Sequence, residues 1–448
     1  MGRLFGTDGI RGVANQYPMT PETALRAGRA VSMVFGTKGR IVIGKDTRIS
    51  GNMLEYALAA GICSSGGNAY LAGVLPTPGI AFLSQAEKAD AGIVISASHN
   101  PFYDNGIKIF KGDGFKLPDE KEAEIEDLLL DEKLAEKCGN IRETGQVFPL
   151  ENAGDRYAQF LKNTLPPGFS LKGIKIVLDC SNGATYQVAP KVFAELGADI
   201  QSLFVSPDGK NINAHCGSQH TESLKSHVLA WGADIGLAFD GDGDRLIAVD
   251  EKGNIITGDR ILVICAKHMK KKGLLKNNLA VTTVMSNIGL HIALKKMEID
   301  HRITDVGDRY VMQEMLNSGA VLGGEDSGHM IFLNHHSTGD GILSALRLIE
   351  AVRDAAQPLS ELVEIMDVYP QLLVNVEVRE KPDIETHPRI SPVIRNAEKA
   401  LGEKGRVLVR YSGTQPLCRI MIEASTQEET RQYCEEIAAV VKAEIGKK

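Results

Sequence analysis

Three aspartates alternate with glycines near the middle of the chain, in the segment Asp240-Gly241-Asp242-Gly243-Asp244-Arg245. In an extended backbone the three carboxylates project to one side, and the glycines allow the chain to curl around an ion. Hard oxygen ligands at this density suit Mg²⁺. A simple hairpin turn does not need three aligned acids, whose mutual repulsion is costly without a cation. The spacing therefore predicts a magnesium site at Asp240, Asp242 and Asp244.

A calcium-binding EF-hand is the competing interpretation, because Glu251 occupies the twelfth position of a loop that begins at Asp240. The pattern fails at Arg245, where such a loop requires glycine. The flanking segments 235–239 and 246–249 are apolar and strand-like, whereas an EF-hand has helices on both sides. We therefore exclude a calcium loop.

Ser98 is the candidate nucleophile, in the segment Ser96-Ala97-Ser98-His99-Asn100-Pro101 after an apolar, strand-like run. A serine beside Asn-Pro is more often a turn residue than a catalytic one. No Gly-x-Ser-x-Gly segment supports acyl chemistry. Phosphoryl chemistry suits an acidic metal loop better, because Mg²⁺ neutralises the oxygens of a phosphoserine and Arg245 can add charge-assisted hydrogen bonds.

Two further loops carry groups that suit a phosphorylated sugar. The segment Arg410-Tyr411-Ser412-Gly413-Thr414 offers a guanidinium, two hydroxyls and the N–H groups of a backbone that Gly413 makes flexible, which together make a phosphate clamp. Glu325, Ser327 and His329 offer donors and acceptors for sugar hydroxyls or an amine. Either loop alone would more often be an ordinary turn, so its meaning depends on the others.

The elements that position these loops alternate between short runs rich in Val and Ile and longer helical patterns, which predicts an α/β fold with parallel strands. Ligands in open α/β sheets bind beyond the carboxyl ends of strands. The polar loops begin where such strands end. The predicted strand segments that lead into them are residues 41–43, 92–95, 176–178, 235–239 and 321–322.

A chain of 448 residues exceeds one hydrophobic core and predicts three or four domains. We expect three similar α/β domains with mixed sheets, followed by a smaller α+β domain whose last helix is capped by Ser425 with Glu428 or by Thr426 with Glu429. The predicted boundaries are 1–152 for the phosphoserine-loop domain, 153–253 for the metal-binding domain, 254–368 for the sugar-binding domain and 369–448 for the phosphate-binding domain.

Composition excludes several classes of protein. A net charge of −7 and 5% aromatic residues provide neither the basic surface nor the stacking platforms of a nucleic-acid binder. No apolar run is long enough to span a membrane, and the first residues lack the pattern of a signal peptide, so we expect a cytoplasmic protein. The seven cysteines form no CxxC pair and are expected to be reduced thiols.

Together these segments resemble the α-D-phosphohexomutases, in which a phosphoserine loop, a DGDGDR metal loop, a GExSGH sugar loop and an RxSGT phosphate loop occur in this order on four domains. The match covers nearly the whole chain. The motifs that resemble the branch acting on glucosamine phosphates are 5–12 (FGTDGIRG), 95–110 (ISASHNPFYDNGIKIF), 211–220 (NINAHCGSQH) and 306–311 (VGDRYV).

The resemblance implies an isomerase that interconverts glucosamine 6-phosphate and glucosamine 1-phosphate, a step towards UDP-N-acetylglucosamine and cell-wall precursors. It implies that Ser98 carries the phosphate, that phospho-Ser98 and the three aspartates bind one Mg²⁺ per subunit, and that a glucosamine 1,6-bisphosphate intermediate forms. The active site would lie in a central cleft. A homodimer is the expected assembly.

The resemblance also implies roles for further residues. Arg11, His99 and Lys108 would act at the catalytic centre, with Lys108 as candidate general acid or base. The substrate-binding residues would be Lys45, Arg48, Arg245, Glu325, Ser327, His329, Arg410, Ser412, Gly413, Thr414 and Arg419.

Two positions depart from the family pattern, and three other functions stay open. Gln415 stands where the phosphate loop usually has glutamate, and Asp305 stands where a lysine is common.

The alternative functions are a hexomutase for glucose or mannose phosphates, a metal-dependent phosphatase that passes the phosphoryl group to water, and an inactive phosphosugar-binding module.

Overall fold

The computed structural model describes residues 4–6, 8–36, 38–139, 143–412 and 415–447. The chain forms two compact units. The first consists of Met1–Val284 and Asp300–Val363, and the second of Met285–Ile299 and Glu364–Lys448. Residues 285–299, which the predicted third domain includes, therefore group with the C-terminal part of the chain.

The N-terminal part of the first unit is built on a seven-stranded mixed sheet with the order β1-β2-β6-β5-β3-β4-β7. Its elements are β1 (Phe5–Gly6), β2 (Gly9–Val13), α1 (Pro21–Phe35), β3 (Arg40–Lys45), α2 (Gly51–Ser64), β4 (Asn68–Val74), α3 (Thr77–Ala86), β5 (Ala91–Ile95), β6 (Asp104–Lys111), α4 (Asp119–Leu130), α5 (Leu134–Gly139) and β7 (Val147–Pro149). The central strands β3 and β5 are parallel, with Lys45 beside Ile95, so the segments that follow them leave the sheet side by side.

A five-stranded mixed sheet with the order β12-β11-β10-β8-β9 follows. Its elements are α6 (Ala153–Asn163), β8 (Lys175–Asp179), α7 (Val188–Glu195), β9 (Asp199–Leu203), α8 (Glu222–Trp231), β10 (Ile235–Phe239), β11 (Leu246–Asp250) and β12 (Ile255–Ile256). The wholly apolar β10 is fully buried and forms an antiparallel hairpin with β11, in which Phe239 pairs with Leu246. The acidic segment is the connection of this hairpin.

A four-stranded mixed sheet with the order β14-β13-β15-β16 completes the first unit. The elements of this part of the chain are α9 (Gly258–Lys271), β13 (Leu279–Thr283), α10 (Ile288–Lys296), β14 (Asp300–Thr304), α11 (Asp308–Ser318), β15 (Leu322–Gly324), β16 (Met330–Phe332), α12 (Gly341–Ala355) and α13 (Leu359–Leu362). The GExSGH segment connects the hairpin of β15 and β16, whose last pair is Gly324 with Met330. The helix α10 belongs to the second unit.

The second unit contains a three-stranded antiparallel sheet with the order β17-β19-β18. Its remaining elements are β17 (Gln371–Glu377), α14 (Ile390–Leu401), β18 (Arg406–Tyr411), β19 (Leu417–Glu423) and α15 (Gln427–Ile445). Ile437 and Val441 of α15 share a buried core with Ile420 of β19. The predicted fold class, three α/β domains with mixed sheets and a smaller α+β domain, is confirmed.

Among the described residues, no helix is both long and apolar enough to cross a membrane. The seven cysteines are free thiols, and Cys63 alone among them is less than fully buried.

Candidate active site

Ser98 lies in the loop after β5 and is 1% exposed. Its φ is 52°, a left-handed conformation that non-glycine residues adopt rarely. The Ser96 hydroxyl accepts the Ser98 N–H at 3.0 Å and donates to the Asp46 carboxylate. The loop is therefore stabilised by a hydrogen bond between two of its own residues and by a hydrogen bond to Asp46, the residue after β3.

Arg48 and Asn213 hold the carbonyl groups of the same loop. Nη2 of Arg48 donates to the carbonyl oxygens of Ser98 at 3.1 Å and Asn100 at 2.5 Å. Nδ2 of Asn213 donates to these two oxygens at 2.9 and 3.0 Å. Arg48 also forms a fully buried ion pair with Asp46. Its guanidinium therefore holds the serine loop, residues 96–101, in place.

The three aspartates of the metal loop are buried and lie beside Ser98. Their carboxylate oxygens lie within 4.8 Å of one another. Ser98 Oγ donates to Asp240 Oδ2 at 2.5 Å. Burial, together with repulsion from Asp244 and Asp242, raises the pKa of Asp240 well above its ordinary value. The structure thus brings together the serine and the acids that the sequence separates by more than a hundred residues.

The oxygens of this cluster fit a divalent cation. Oδ1 of Asp242 and Oδ1 of Asp244 are buried without a hydrogen-bond partner. Arg245 Nε lies 3.8 Å from Asp244 Oδ1, which is too far for a hydrogen bond. Buried carboxylate oxygens without partners are costly unless an ion occupies the space between them. Hard oxygen donors of this kind suit Mg²⁺.

Lys108 is a buried cation beside the cluster. Its Nζ lies 2.8 Å from Asp242 Oδ2, 3.0 Å from Asp8 Oδ2 and 3.6 Å from Asp244 Oδ2. Burial lowers the pKa of Lys108, but the three carboxylates raise it more, and the net pKa is well above its ordinary value. The ammonium group is therefore protonated in this state and acts as a charge and a donor.

Asp8 links Lys108 to Arg11 and Lys116. Arg11 donates to Asp8 through Nη2 and to the Ala97 carbonyl through Nη1 at 3.4 Å. Lys116 bridges Asp8 and Asp308. Burial raises the pKa of Asp8, but Lys108, Lys116 and Arg11 lower it to well below its usual range. A network of alternating charges thus connects the serine loop to α11.

His99 and Arg245 flank the serine and the metal loop. His99 Nδ1 lies 3.3 Å from Ser98 Oγ. Burial, with the charges of Arg245 and Arg11, lowers the pKa of His99 to about 4, so its imidazole is neutral near neutral pH. The Arg245 N–H donates to Asp240 Oδ1 at 3.2 Å. Residues 98, 99, 240 and 245 therefore form one cluster.

The predicted sugar loop reaches the same cluster through His329, which forms an antiparallel bridge with Arg245. Nε2 of His329 lies 3.9 Å from Asp244 and 3.5 Å from Asp308. Glu325 is half-buried and accepts the Gly307 N–H at 3.1 Å. Ser327 is exposed at the tip of the loop.

The other predicted sites in the first unit have simpler surroundings. Lys45 forms an ion pair with Glu55, and the two side chains are 13% and 3% exposed. Asp305, one of the two departures from the family pattern, is exposed after β14.

Thr77, which the sequence analysis did not single out, donates its hydroxyl to Asp242 Oδ2 at 2.7 Å. Thr77 begins α3, and its N–H also donates to the Asp242 carbonyl at 2.9 Å.

The predicted phosphate residues lie in the second unit. Arg410 and Arg419 face each other on β18 and β19. Like charges directly opposite on a sheet are destabilising. Within the described residues neither arginine forms an ion pair with a carboxylate, and Arg419 Nε is buried without a hydrogen-bond partner. Both line a small cavity with Met285, Leu373, Leu408 and Met421. An anion at this pair of guanidinium groups would relieve their repulsion.

Ser412 follows β18 and is 5% exposed. Its hydroxyl accepts the Gln415 N–H at 3.3 Å, and its carbonyl accepts a hydrogen bond from Lys381 at 2.6 Å. Lys381 adds a cation that the sequence analysis missed. Gly413 and Thr414, both predicted as phosphate ligands, lie outside the described residues.

Comparison with known proteins identifies four consecutive family models along the chain. They are phosphoglucomutase/phosphomannomutase alpha/beta/alpha domain I at residues 2–136, domain II at 155–253, domain III at 257–369 and the C-terminal domain at 373–440. The chain belongs to the phosphoglucomutase/phosphomannomutase family. The predicted membership of the phosphohexomutases is confirmed.

Curated relatives match over their full length. Phosphoglucosamine mutase from Syntrophus aciditrophicus (strain SB) is 60% identical over 449 residues, with 100% of both chains covered. Phosphoglucosamine mutase from Syntrophobacter fumaroxidans is also 60% identical over 449 residues, with the same coverage. The predicted resemblance to the glucosamine-phosphate branch is thereby confirmed.

Solved structures share the fold. A phosphoglucomutase/phosphomannomutase family protein from Burkholderia thailandensis superposes with a TM-score of 0.80 at 24% identity, covering 98% of this chain and 97% of that chain. N-acetylphosphoglucosamine mutase from Aspergillus fumigatus, solved with GlcNAc-6P and magnesium, gives a TM-score of 0.70 at 18% identity over 98% and 95% of the two chains. At these identities the likeness establishes the fold alone.

Proposed function

We propose that this protein is a phosphoglucosamine mutase, an isomerase that interconverts glucosamine 6-phosphate and glucosamine 1-phosphate. The observation that carries the proposal is the 2.5 Å hydrogen bond from Ser98 Oγ to Asp240, within a cluster of three buried aspartates. Full-length relatives named phosphoglucosamine mutase at 60% identity support the choice of sugar. The reaction would supply the precursor of UDP-N-acetylglucosamine.

The proposed cycle begins with phospho-Ser98 and glucosamine 6-phosphate. The O1 hydroxyl attacks the phosphorus, a P–O1 bond forms, the P–Oγ bond breaks, and the O1 proton ends on Ser98 Oγ. The product is glucosamine 1,6-bisphosphate, which turns round in the site. Ser98 Oγ then attacks the 6-phosphate, the P–O6 bond breaks, and the Ser98 proton ends on O6. The enzyme is regenerated and glucosamine 1-phosphate is released.

The residues of the metal loop would hold one Mg²⁺ through Asp240, Asp242 and Asp244, with an oxygen of phospho-Ser98 completing the set. When bound, the ion would neutralise charge on the transferring phosphoryl group. Lys108 remains protonated beside Asp242 and would donate to phosphoryl oxygens. Arg11 and Arg245 would add charge-assisted hydrogen bonds. We assign His99, neutral and 3.3 Å from Ser98 Oγ, to orienting that hydroxyl.

The remaining predicted substrate residues have divided roles in this proposal. Glu325, Ser327 and His329 would contact the sugar, and Lys45 would act near the serine loop. Arg410, Ser412, Gly413, Thr414 and Arg419 would hold the phosphate that is not being transferred, which fixes the acceptor hydroxyl near the phosphoserine. Arg48 would hold the serine loop, because its contacts are with Asp46 and loop carbonyls.

The domain boundaries proposed from sequence, 1–152, 153–253, 254–368 and 369–448, remain part of this proposal. The matched family segments support a four-part division. A cytoplasmic location and a homodimer are likewise proposed.

The test is an assay of the purified protein with Mg²⁺ and both phosphate isomers of glucosamine, glucose and mannose. Interconversion of the glucosamine isomers at the highest kcat/KM is expected. A preference for glucose or mannose phosphates would make the protein another hexomutase. Release of inorganic phosphate without isomer interconversion would support a phosphatase, and binding without either reaction an inactive module.

A further inference from the structure

Two carbonyl groups of the serine loop are held from two different sheets. Arg48 follows β3 of the seven-stranded sheet, and Asn213 lies in the loop after β9 of the five-stranded sheet. Each side chain donates to both the Ser98 and the Asn100 carbonyl oxygens. Asn213 has no role in the proposed phosphoserine cycle, because its amide contacts the Ser98 and Asn100 carbonyls and not the Ser98 hydroxyl.

The amide of Asn213 is fixed by its own loop. Asn213 has a φ of 58°, a left-handed conformation for which asparagine is among the best-suited residues. Its N–H donates to the Ser181 carbonyl at 2.9 Å. The loop is also tied to the end of β8, where Asp179 Oδ2 accepts the Gly217 N–H at 2.9 Å. The Asn213 side chain is thus presented to the serine loop by a segment that is hydrogen-bonded to β8 and to the residues that follow it.

The serine loop, the metal loop and Asn213 are packed without spare space. A methyl group on Gly241 of the metal loop would lie 2.5 Å from the Ser98 carbonyl oxygen and 2.7 Å from Asn213 Nδ2. Contacts this short would force one of the three to move. The Asn213 amide therefore fills the space between Gly241 of the metal loop and the backbone of Ser98.

We propose that Asn213 is a positioning residue for phosphoryl transfer. By donating to the Ser98 and Asn100 carbonyls opposite Arg48, it maintains the left-handed conformation of Ser98 that directs Oγ at Asp240. This role rests on the proposed phosphoserine cycle. It adds the Asn213 amide, from the loop after β9 of the five-stranded sheet, as a group that sets the geometry of Ser98. Loss of this donor should slow transfer to and from Ser98 and leave sugar binding unchanged.

The experiment compares Asn213→Gly and Asn213→Asp with the wild-type chain. Glycine preserves the left-handed backbone and removes the donor, whereas aspartate preserves size and replaces the donor with an acceptor that repels both carbonyls. The first readout is the single-turnover rate at which glucose 1,6-bisphosphate phosphorylates Ser98, followed by intact-mass spectrometry. The second is kcat and KM for glucosamine 6-phosphate, and the third is the thermal midpoint.

We expect the loading rate and kcat to fall on the order of 10- to 100-fold, more for Asn213→Asp than for Asn213→Gly, because small misplacements of reacting groups have effects of this size. KM should stay within about threefold. The matched control is Asn211→Asp in the same loop, whose Nδ2 donates to the Ser206 carbonyl at 3.0 Å. This control should load Ser98 at the wild-type rate.

Loading rates within about threefold of wild type in both Asn213 variants would overturn the proposal. An equal fall in Asn211→Asp, or a fall that only follows a loss of folded protein, would replace it with a purely structural role for the loop. If the wild-type chain loads Ser98 but does not convert glucosamine phosphates, the proposed substrate is wrong while the comparison of loading rates still stands.

Discussion

Thr77 and Asp242 are joined by two hydrogen bonds, one from the Thr77 hydroxyl to Asp242 Oδ2 at 2.7 Å and one from the Thr77 N–H to the Asp242 carbonyl at 2.9 Å. Lys108 Nζ contacts the same Oδ2 at 2.8 Å. Oδ1 has no hydrogen-bond partner. One oxygen of Asp242 is therefore held by Thr77 and Lys108, and the other, which has no hydrogen-bond partner, is available to the proposed ion.

Thr77→Val is expected to weaken metal binding about 10- to 100-fold, which is typical for loss of a residue that orients a metal ligand. Valine keeps the shape of threonine and the N–H contact and removes the hydroxyl donor. The Mg²⁺ concentration for half-maximal activity and the affinity for Mn²⁺, measured by paramagnetic resonance, should both change. Thr77→Ser retains the donor and should bind as wild type. Equal Mn²⁺ affinities for the two variants would contradict the role assigned to the hydroxyl.

Removal of the Ser98 hydroxyl is expected to abolish turnover without loss of the fold. The φ of 52° makes Ser98→Gly the cleanest change, because glycine adopts this backbone without strain. Ser98→Ala should be equally inactive. Intact-mass spectrometry should show one phosphate on the wild-type chain and none on either variant.

The matched control for these serine variants is Ser226→Ala on the exposed face of α8, which should keep both the phosphate and the activity. Substantial mutase activity in Ser98→Gly would refute a covalent route through this residue.

Arg419→Gln is expected to raise KM for glucosamine 6-phosphate about 10- to 100-fold, since hydrogen bonds to charged groups contribute about 1.5–3 kcal/mol. Arg410 and Arg419 lie opposite each other on β18 and β19, where their charges repel, and a bound substrate phosphate would offset this repulsion. The variant should therefore show a smaller rise in thermal midpoint than wild type when substrate is added. Arg431→Gln, on the exposed face of α15, is the control and should leave both quantities unchanged. A wild-type KM for Arg419→Gln would exclude this residue from substrate binding.

The sequence predicts the elements that carry the site because their signals are local. The predicted strands 235–239 and 246–249 correspond to β10 and β11, since a buried apolar run interrupted by a glycine-rich segment has few alternatives to a hairpin. The final helix is capped by Thr426 with Glu429, one of the two predicted pairs. These local patterns predict where each strand or helix begins and ends, and therefore which residues lie in the loops that follow.

The parts of the site that the sequence did not reveal depend on contacts between distant segments. Thr77 reaches Asp242 and Asn213 reaches Ser98 across more than a hundred residues. No local pattern at Thr77 or Asn213 distinguishes a capping or turn residue from one that orients a catalytic group. The role of Arg48 was equally hidden, because its buried guanidinium donates to the Ser98 and Asn100 carbonyls of a loop that lies about fifty residues away in the sequence. Asn213 does lie in the motif 211–220 that carried the resemblance, which was the available signal.

A buried hydrogen bond between Tyr157 and Asp340 gives a prediction for stability. The Tyr157 hydroxyl donates to Asp340 Oδ2 at 2.7 Å, and Asp340 Oδ1 caps α12 by accepting the Leu343 N–H at 3.0 Å. Tyr157→Phe leaves a buried carboxylate oxygen without its donor, so unfolding free energy should fall by about 1–3 kcal/mol. The thermal midpoint should fall, while Tyr56→Phe on the exposed surface should have no effect.

The ionisation of Asp340 makes the stability of the protein depend on pH. Burial raises the pKa of Asp340 to about 6, above the value of about 3.9 in an unfolded chain. The contribution of Asp340 to stability is therefore fully present below about pH 4 and is lost as pH rises through 6. Asp340→Asn cannot ionise, so its thermal midpoint relative to wild type should rise between pH 4 and pH 8. Tyr157→Phe should become relatively less stable over the same range, because it lacks the donor that favours the ionised carboxylate. Thermal midpoints at four pH values test both trends, and parallel curves for all three chains would contradict the assignment of the ionising group to Asp340.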